Sequence, residues 1–388
     1  MKIISAEEKT VSLSTNQKNA KISFNEMTAS AVVVVIEKNG SLFKGLGFSS
    51  YGRYSHGGLL RERFLPRLKN IKDIPTDVPS VQIISCIWDK LMKDEKEGGH
   101  GERSGAVGVL ETALWDALAK SEELPLWALL ERDTEFIKSK NPPPGHTVIY
   151  ASGGLYNSNN TGTDELATEV KHNMDMGYAW SKIKIGGAEL TEDMARIEAA
   201  IKAAGKPEWI AVDANCAFKG NRKEPLLNEI DKLGLKWIEE PVNPLNFDGL
   251  RRCKEFINTS IATGENIFSN ADLYNLLKYG GLHNNLDNLQ MDIILSYGLT
   301  EYIRMIKTIE AFGWSRRSMI PHAGHQVALH AAAGLGLGGH EVSSGKDGPF
   351  NGVSNDTKVD NGIAILSSAP GVGIENKPEL YKFFDGAF

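Results

Sequence analysis

IAVDAN (210–215), KWIEEP (236–241) and IATGEN (261–266) are the segments that decide the fold. Each is a short apolar run closed by acidic or polar residues. Their carboxylates Asp213, Glu239 and Glu265 follow one another at even intervals of 26 residues. That interval matches one strand–loop–helix–loop unit. Working outward, SKIKIGG (181–187) precedes this series, and NLQMD (288–292) and SMIPH (318–322) follow it. They add Lys184, Asp292 and His322 to the polar residues closing apolar runs. A regular βα repeat with a charged residue closing each strand is how a barrel assembles a metal and acid–base site on one rim.

The alternation extends from Val148. Strands are expected at VIYASGG, WSKIKIG, WIAVDAN, KWIEEP, SIATGEN, DNLQMD and SMIPH, with helices near 164–176, 190–204, 223–233, 246–257, 270–279 and 298–312. In the last of these, Leu299, Tyr302, Ile303, Ile306 and Ile309 form one apolar stripe. Strands alternating with helices imply a parallel sheet. Seven or eight such units in this stretch fit a closed barrel better than an open sheet. The run GLGLGG (334–339) follows a helix rather than a strand, so it reads as a close-packed loop and not as a dinucleotide fingerprint.

Before the barrel the pattern differs. AVVVVIE (31–37) reads as a strand, and LFKGLGFSSYGRYSHGG (42–58) as a strand leading into a mobile loop. A helix is expected from about Ser104, with Val107, Leu110, Leu114, Ala117 and Leu118 on one face. Pro125 and NPPPG (141–145) break that pattern and mark a domain boundary. The expected division is 1–140, 141–360 and 361–388, the last segment returning to the first domain.

A chain of 388 residues is long for one simple core. Its net charge of −6 opposes a nucleic-acid partner and offers no basic patch for a membrane. Cys86, Cys216 and Cys253 cannot all pair and show no CxxC spacing, which fits a reduced, cytoplasmic setting. The N-terminal residues lack a signal-peptide pattern, and no apolar run has membrane-spanning length.

Lys182 and Lys184 stand two apart on one strand, so both point to one face, in a barrel the interior. The neighbouring ammonium is expected to lower the Lys184 pKa and make it a base. Singly, Asp213, Glu239 and Glu265 read as ordinary salt-bridge or capping carboxylates. Together they are a hard oxygen cluster that suits Mg²⁺. Asp292 is placed to hold one nitrogen of His322 and fix its tautomer. His325 and His330 read as structural. In EKEGGHGERS (95–104), Lys96 either sits in a polar loop or reaches the rim as a substrate cation. A Schiff-base aldolase using one barrel lysine is another reading of the same residues. A Glu239/Glu240 glycosidase is weaker, because adjacent strand residues point to opposite faces. A barrel kept only for binding should have lost a base or a ligand.

Taken together, these residues resemble the enolase superfamily, in its mandelate-racemase-like branch. GFSSYGRYSHGGLLRERF (47–64), GGHGERSGAVG (98–108), ALWDALAK (113–120), KIGG (184–187), VDAN (212–215), ATGEN (262–266), LSYGL (295–299) and PHAGHQ (321–326) are similar to the D-tartrate dehydratases of that branch. The resemblance covers nearly the whole chain. It implies an N-terminal α+β capping domain on a (β/α)7β modified TIM barrel. In that superfamily a Lys or His base works beside one or two Mg²⁺ ions that stabilise an ene-diolate. By resemblance, Lys184 is the base, Lys182 its electrostatic partner, and His322, held by Asp292, the general acid. Asp213, Glu239 and Glu265 are the Mg²⁺ ligands, and Tyr51, Lys96 and Asn215 the substrate contacts. The tartrate dehydratase pattern has Asn where Tyr51 stands. The implied substrate is a small hydroxy(di)carboxylate, dehydrated to a 2-keto acid, with racemisation by the same two faces as the alternative. A homo-oligomer is expected.

Overall fold

The structure is a computed structural model that describes the chain except residues 13–16, 26, 50–53, 55, 137–140, 158–161, 219–222, 345–349 and 384–388. It opens with strands β1 (Lys2–Ser12), β2 (Gln17–Lys18), β3 (Thr28–Lys38) and β4 (Ser41–Phe48). An antiparallel sheet runs β1-β3-β4, with the Val-rich β3 in the centre. β-branched residues suit that position, where both faces are covered. Helices Ser80–Met92, Arg103–Ser121 and Leu126–Asp133 complete the capping domain. The segment expected to run from strand into loop is strand only to Phe48, and its end already belongs to a helical stretch from His56 to Lys69 that contains one π turn.

Helix Arg103–Ser121 departs from its expected single apolar face. Every residue from Ser104 to Ala119 is buried. Its small residues let neighbours approach on all sides, so it lies inside the molecule rather than along its surface.

The barrel is formed by β5 (His146–Ser152), β7 (Ser181–Lys184), β8 (Ile210–Asp213), β9 (Ile238–Glu239), β10 (Ile261–Thr263), β11 (Asn288–Leu289), the segment around Met319 and β12 (His340–Ser343); the short β6 (Tyr156–Asn157) pairs with β2. β5 through β11 pair in parallel, apart from β6, and β12 pairs in parallel with β5. Met319 closes the ring, forming a parallel bridge to Leu289 and accepting a 2.9 Å hydrogen bond from Gly338 N. Between these strands lie helices Thr163–Asp175, Leu190–Ala204, Lys223–Asp231, Phe247–Phe256, Asn270–Tyr279, Leu299–Ala311 and Gln326–Leu335. This is the (β/α)7β arrangement, with its helical stripes turned to the strands.

The expected change of segment at 360/361 falls inside a hairpin, β13 (Lys358–Asp360) and β14 (Ile363–Ile365). β14 pairs antiparallel with β5 of the barrel. Only further on does the chain meet the cap, where Gly371 exchanges backbone hydrogen bonds with Leu124 and Leu126, and Val372 N donates to Asp116. No helix among the described residues is long and apolar enough to cross a membrane.

Candidate active site

Parallel register builds the first half of the site. Lys184 pairs with Asp213 across β7 and β8, and Asp213 with Glu239 across β8 and β9. These three strand-terminal side chains therefore stand side by side on the C-terminal rim, with Lys182 one layer below. Glu265 lies two residues beyond β10 and Asp292 three beyond β11, so neither ends its strand as the sequence pattern implied. The chain still returns Glu265 to the cluster. One ligand oxygen from each of Asp213, Glu239 and Glu265 lies within 4.8 Å of the others.

Below and around them sits a buried charge network. Lys184 Nζ donates to Asp213 at 2.5 Å, and Lys182 Nζ donates to Glu239 at 2.5 Å. Lys182 also lies 3.1 Å from Glu341 and 3.8 Å from Asp213. Burial pushes the Lys182 ammonium toward its neutral form, but Glu239 and Glu341 outweigh it and hold its pKa well above the ordinary value. At Lys184 burial again works downward, yet Asp213 prevails and the pKa is raised. The expected depression by Lys182 exists as an opposing effect and is the smaller one. Burial raises the Glu239 pKa to about 8, opposed by Lys182 and reinforced by Asp213 and Glu341.

The donor set fits a divalent cation. Asp213, Glu239, Glu265 and Glu341 crowd into this space around Lys182, Lys184 and the imidazole of His322, and three of these carboxylates bring an oxygen within reach of one centre in a low-dielectric interior. Hard oxygen ligands with no sulfur or imidazole among the three suit Mg²⁺.

His322 sits on the other side. Its Nδ1 is 3.0 Å from Asp292 Oδ2, and its Nε2 is 3.4 Å from Glu265. Burial pulls the imidazole toward neutral, but Glu265, Asp292 and Glu341 raise its pKa to about 10. Around the closed barrel the carboxylates occupy three consecutive strand positions. Lys184 stands one position before them and His322 two after. The two groups therefore bracket the cluster.

The remaining sequence candidates fall in different places. Asn215, in a left-handed conformation, donates from its backbone N and its Nδ2 to Asp213 at 2.8 and 3.1 Å. Its Oδ1 is buried without a hydrogen-bond partner among the described residues. Lys96 is exposed on the loop before helix Arg103–Ser121, a loop that docks on the barrel through His100 and Tyr297. Tyr51 lies outside the described residues. His330 Nδ1 accepts from Trp127 N, while His325 lies 3.8 Å from Asp292; burial lowers both pKa values to about 4.

Three residues were not anticipated. Glu341 lies on β12, a four-residue strand that the pattern reading passed over, and burial would raise its pKa, but Lys182, His322 and Lys184 depress it strongly. The count of βα units was the available signal, since seven recognised strands leave an eighth to find. Tyr150 and Trp237 form the floor: Tyr150 Oη donates to Glu341 at 3.2 Å, and Trp237 Nε1 donates to Glu239 at 3.1 Å. Glu240 also departs from expectation. Its backbone is left-handed (φ +40°), and its buried side chain accepts from Asn266 Nδ2 at 2.9 Å and from Cys216 Sγ at 3.3 Å. Burial together with Glu265 and Asp213 raises its pKa well above the carboxylate range.

Fold and site together define a capped (β/α)7β barrel with a carboxylate cluster set between a lysine and a histidine. The chain belongs to the enolase C-terminal domain-like family, whose model matches residues 165–380. It is 26% identical to the arabinonate dehydratase of Saccharolobus solfataricus over 79% of this chain and 78% of that protein. It is also 26% identical to the L-talarate/galactarate dehydratase of Salmonella typhimurium, over 80% of this chain and 72% of the relative. The fold matches the L-talarate dehydratase of Polaromonas sp., solved with Mg and L-glucarate, at a TM-score of 0.74 and 24% identity, covering 96% of this chain and 94% of that one.

Proposed function

We propose that this protein is a Mg²⁺-dependent acid-sugar dehydratase that converts a hydroxy(di)carboxylate to a 2-keto acid, with D-tartrate to oxaloacetate as the specific reaction. The observation that carries this reading is the bracketing of one carboxylate cluster by Lys184 and His322. Two dehydratase relatives that each cover about four fifths of this chain support it.

A Mg²⁺ held by Asp213, Glu239 and Glu265 would supply Lewis-acid stabilisation of the substrate carboxylate. Lys184 accepts the α-proton on one face, where a cation on Asp213 would offset the carboxylate charge that holds the Lys184 pKa up, with Lys182 fixing the local charge beneath it. The C–H electron pair is held first in the ene-diolate of the substrate carboxylate and then forms the C=C bond as the β C–O bond breaks. His322, oriented by Asp292, gives its Nε2 proton to the departing hydroxyl, and water leaves. The enol then tautomerises to the 2-keto acid. Asn215, Lys96 and Tyr51 are proposed substrate contacts; the buried Oδ1 of Asn215 supports the first.

A panel of mono- and diacid sugars, including D-tartrate, L-talarate, galactarate and arabinonate, tests the reading. 2-Keto acid and optical rotation are followed together, with Mg²⁺ and after exhaustive chelation. Keto acid from at least one substrate, abolished by chelation and restored by Mg²⁺, is expected. Loss of rotation without keto acid on any substrate replaces the dehydratase reading with a racemase. Full turnover after chelation removes the metal assignment.

A further inference from the structure

We propose that Tyr297 is a positioning residue through which the capping domain holds the Asp292 turn and so aims His322. The inference rests on the role given to His322 above. Asp292 begins a tight turn in which Ser296 N donates to Asp292 O and Gly298 N to Ile293 O, each at 2.9 Å. Leu295 N donates to Asp292 Oδ1 at 2.9 Å, which presents Oδ2 to His322 Nδ1 at 3.0 Å. The orientation of the imidazole is therefore set by a carboxylate whose own orientation is set by the turn.

The barrel contributes to the hold on this turn a 3.2 Å hydrogen bond from Ser296 Oγ to Ile267 O. The cap adds hydrogen bonds and close packing of its own. Trp88 Nε1 donates to Tyr297 O at 3.0 Å. Arg103 Nε donates to the Tyr297 hydroxyl at 3.0 Å, and that hydroxyl is 2.9 Å from His100 Nδ1. His100 Nε2 is in turn 2.8 Å from Asp272. With Arg103 donating, the hydroxyl donates to Nδ1, and Nε2–H donates to the carboxylate, so every partner in the chain is satisfied. Gly108 of the buried cap helix packs so closely that a Cβ there would lie 1.9 Å from Ile294 O. Glu111, on the same helix, accepts from Thr300 N at 3.1 Å.

Tyr297 itself has φ +61°. A residue with a β-carbon held there is strained, and such a conformation persists only where its surroundings over-determine it. Two hydrogen bonds donated by the cap, to the carbonyl and the hydroxyl, and one that the hydroxyl donates to His100 supply that determination. Tyr297 touches no reacting group; its action passes through the turn to Asp292.

The test is Tyr297→Phe in the full chain with Mg²⁺, which keeps the ring and removes the hydroxyl. Turnover of the acid-sugar panel to keto acid and hydrogen exchange at the Leu295 amide are both measured. A lost hydrogen bond and a slightly displaced imidazole predict kcat lower on the order of tenfold, with KM nearly unchanged. Leu295 exchange should rise by a similar factor, while the Ile185 amide, bonded to Asp213 O on the lysine side, keeps its protection. Trp88→Phe, which removes the donor to the Tyr297 carbonyl, should act in the same direction and decides the matter if Tyr297→Phe does not fold. Unchanged kcat and unchanged Leu295 exchange overturn the proposal. So does an equal loss of protection at Leu295 and Ile185, which marks a general structural role. Leu295 exchange needs no substrate. If the wild type makes no keto acid, the dehydratase reading fails while the clamp is still decided by exchange.

Discussion

The lysine side and the histidine side of the site are built by different means. Lys182 and Lys184 are fixed by side chains of the barrel itself: Asp213 on the adjoining β8, Glu239 on β9 and Glu341 on β12. His322 is fixed by Asp292, whose turn is gripped by Trp88, His100, Arg103 and Glu111 of the cap. Parallel register places strand ends beside one another without outside help. A turn beyond a strand end has no such ladder and needs a second layer to hold it. On the roles proposed for Lys184 and His322, one half of the chemistry would be intrinsic to the barrel, and the other would depend on the two domains being docked.

The largest effects separate the two halves chemically. Lys184→Ala and His322→Asn should each lower keto-acid formation by about a thousandfold, the scale of a lost general base or acid. Exchange of the substrate α-proton with deuterated solvent should vanish in Lys184→Ala. Exchange seen in His322→Asn would mark the proton-abstracting half as intact without its partner. Exchange that survives Lys184→Ala would break the assignment of the base to the barrel-held side.

Next comes the dependence of the lysine side on its own counter-charges. Lys182→Met leaves Glu239 and Glu341 buried without their ammonium. It should destabilise the fold by about 4 kcal/mol in denaturant titration. Glu239→Gln should also cost stability, because Glu239 is buried and bonded to both Lys182 and Trp237. A Lys182→Met protein as stable as the wild type would show that the network is not what fixes this half.

The cap–barrel seam should respond in the opposite sense. Burial raises the Glu111 pKa from 4.5 to about 7. Ionising it costs the folded state, so its favourable contribution is present below pH 4.5 and is lost as pH rises through 7. Glu111→Gln should match the wild type near pH 4 and exceed it above pH 7 by about 3 kcal/mol at most. Unfolding free energies measured across that window check the sign. A variant less stable than the wild type at pH 8 would mean that the carboxylate charge itself holds Thr300 and the turn.

The barrel and most of its rim were legible from the chain alone. Short apolar runs ending in charge, repeated at one interval, are a local pattern, and local pattern is what strand and helix periods write into a chain. Lys182, Lys184, Asp213 and Glu239 could be placed because their neighbours in space are fixed by register once the strands are known. Tertiary structure alone decided the rest. The direction of the Lys184 pKa depended on whether burial and Lys182, which lower it, were outweighed by Asp213. Glu341 became a site residue only when β12 closed against β5. Glu240 was brought under the influence of the cluster by a left-handed backbone that no alternation rule predicts. Tyr297, far from reading as functional in LSYGL, acquired its place when the cap helices docked. Each of these depends on charges and hydrogen bonds between segments distant in the chain, whose distances are set only when the two domains pack.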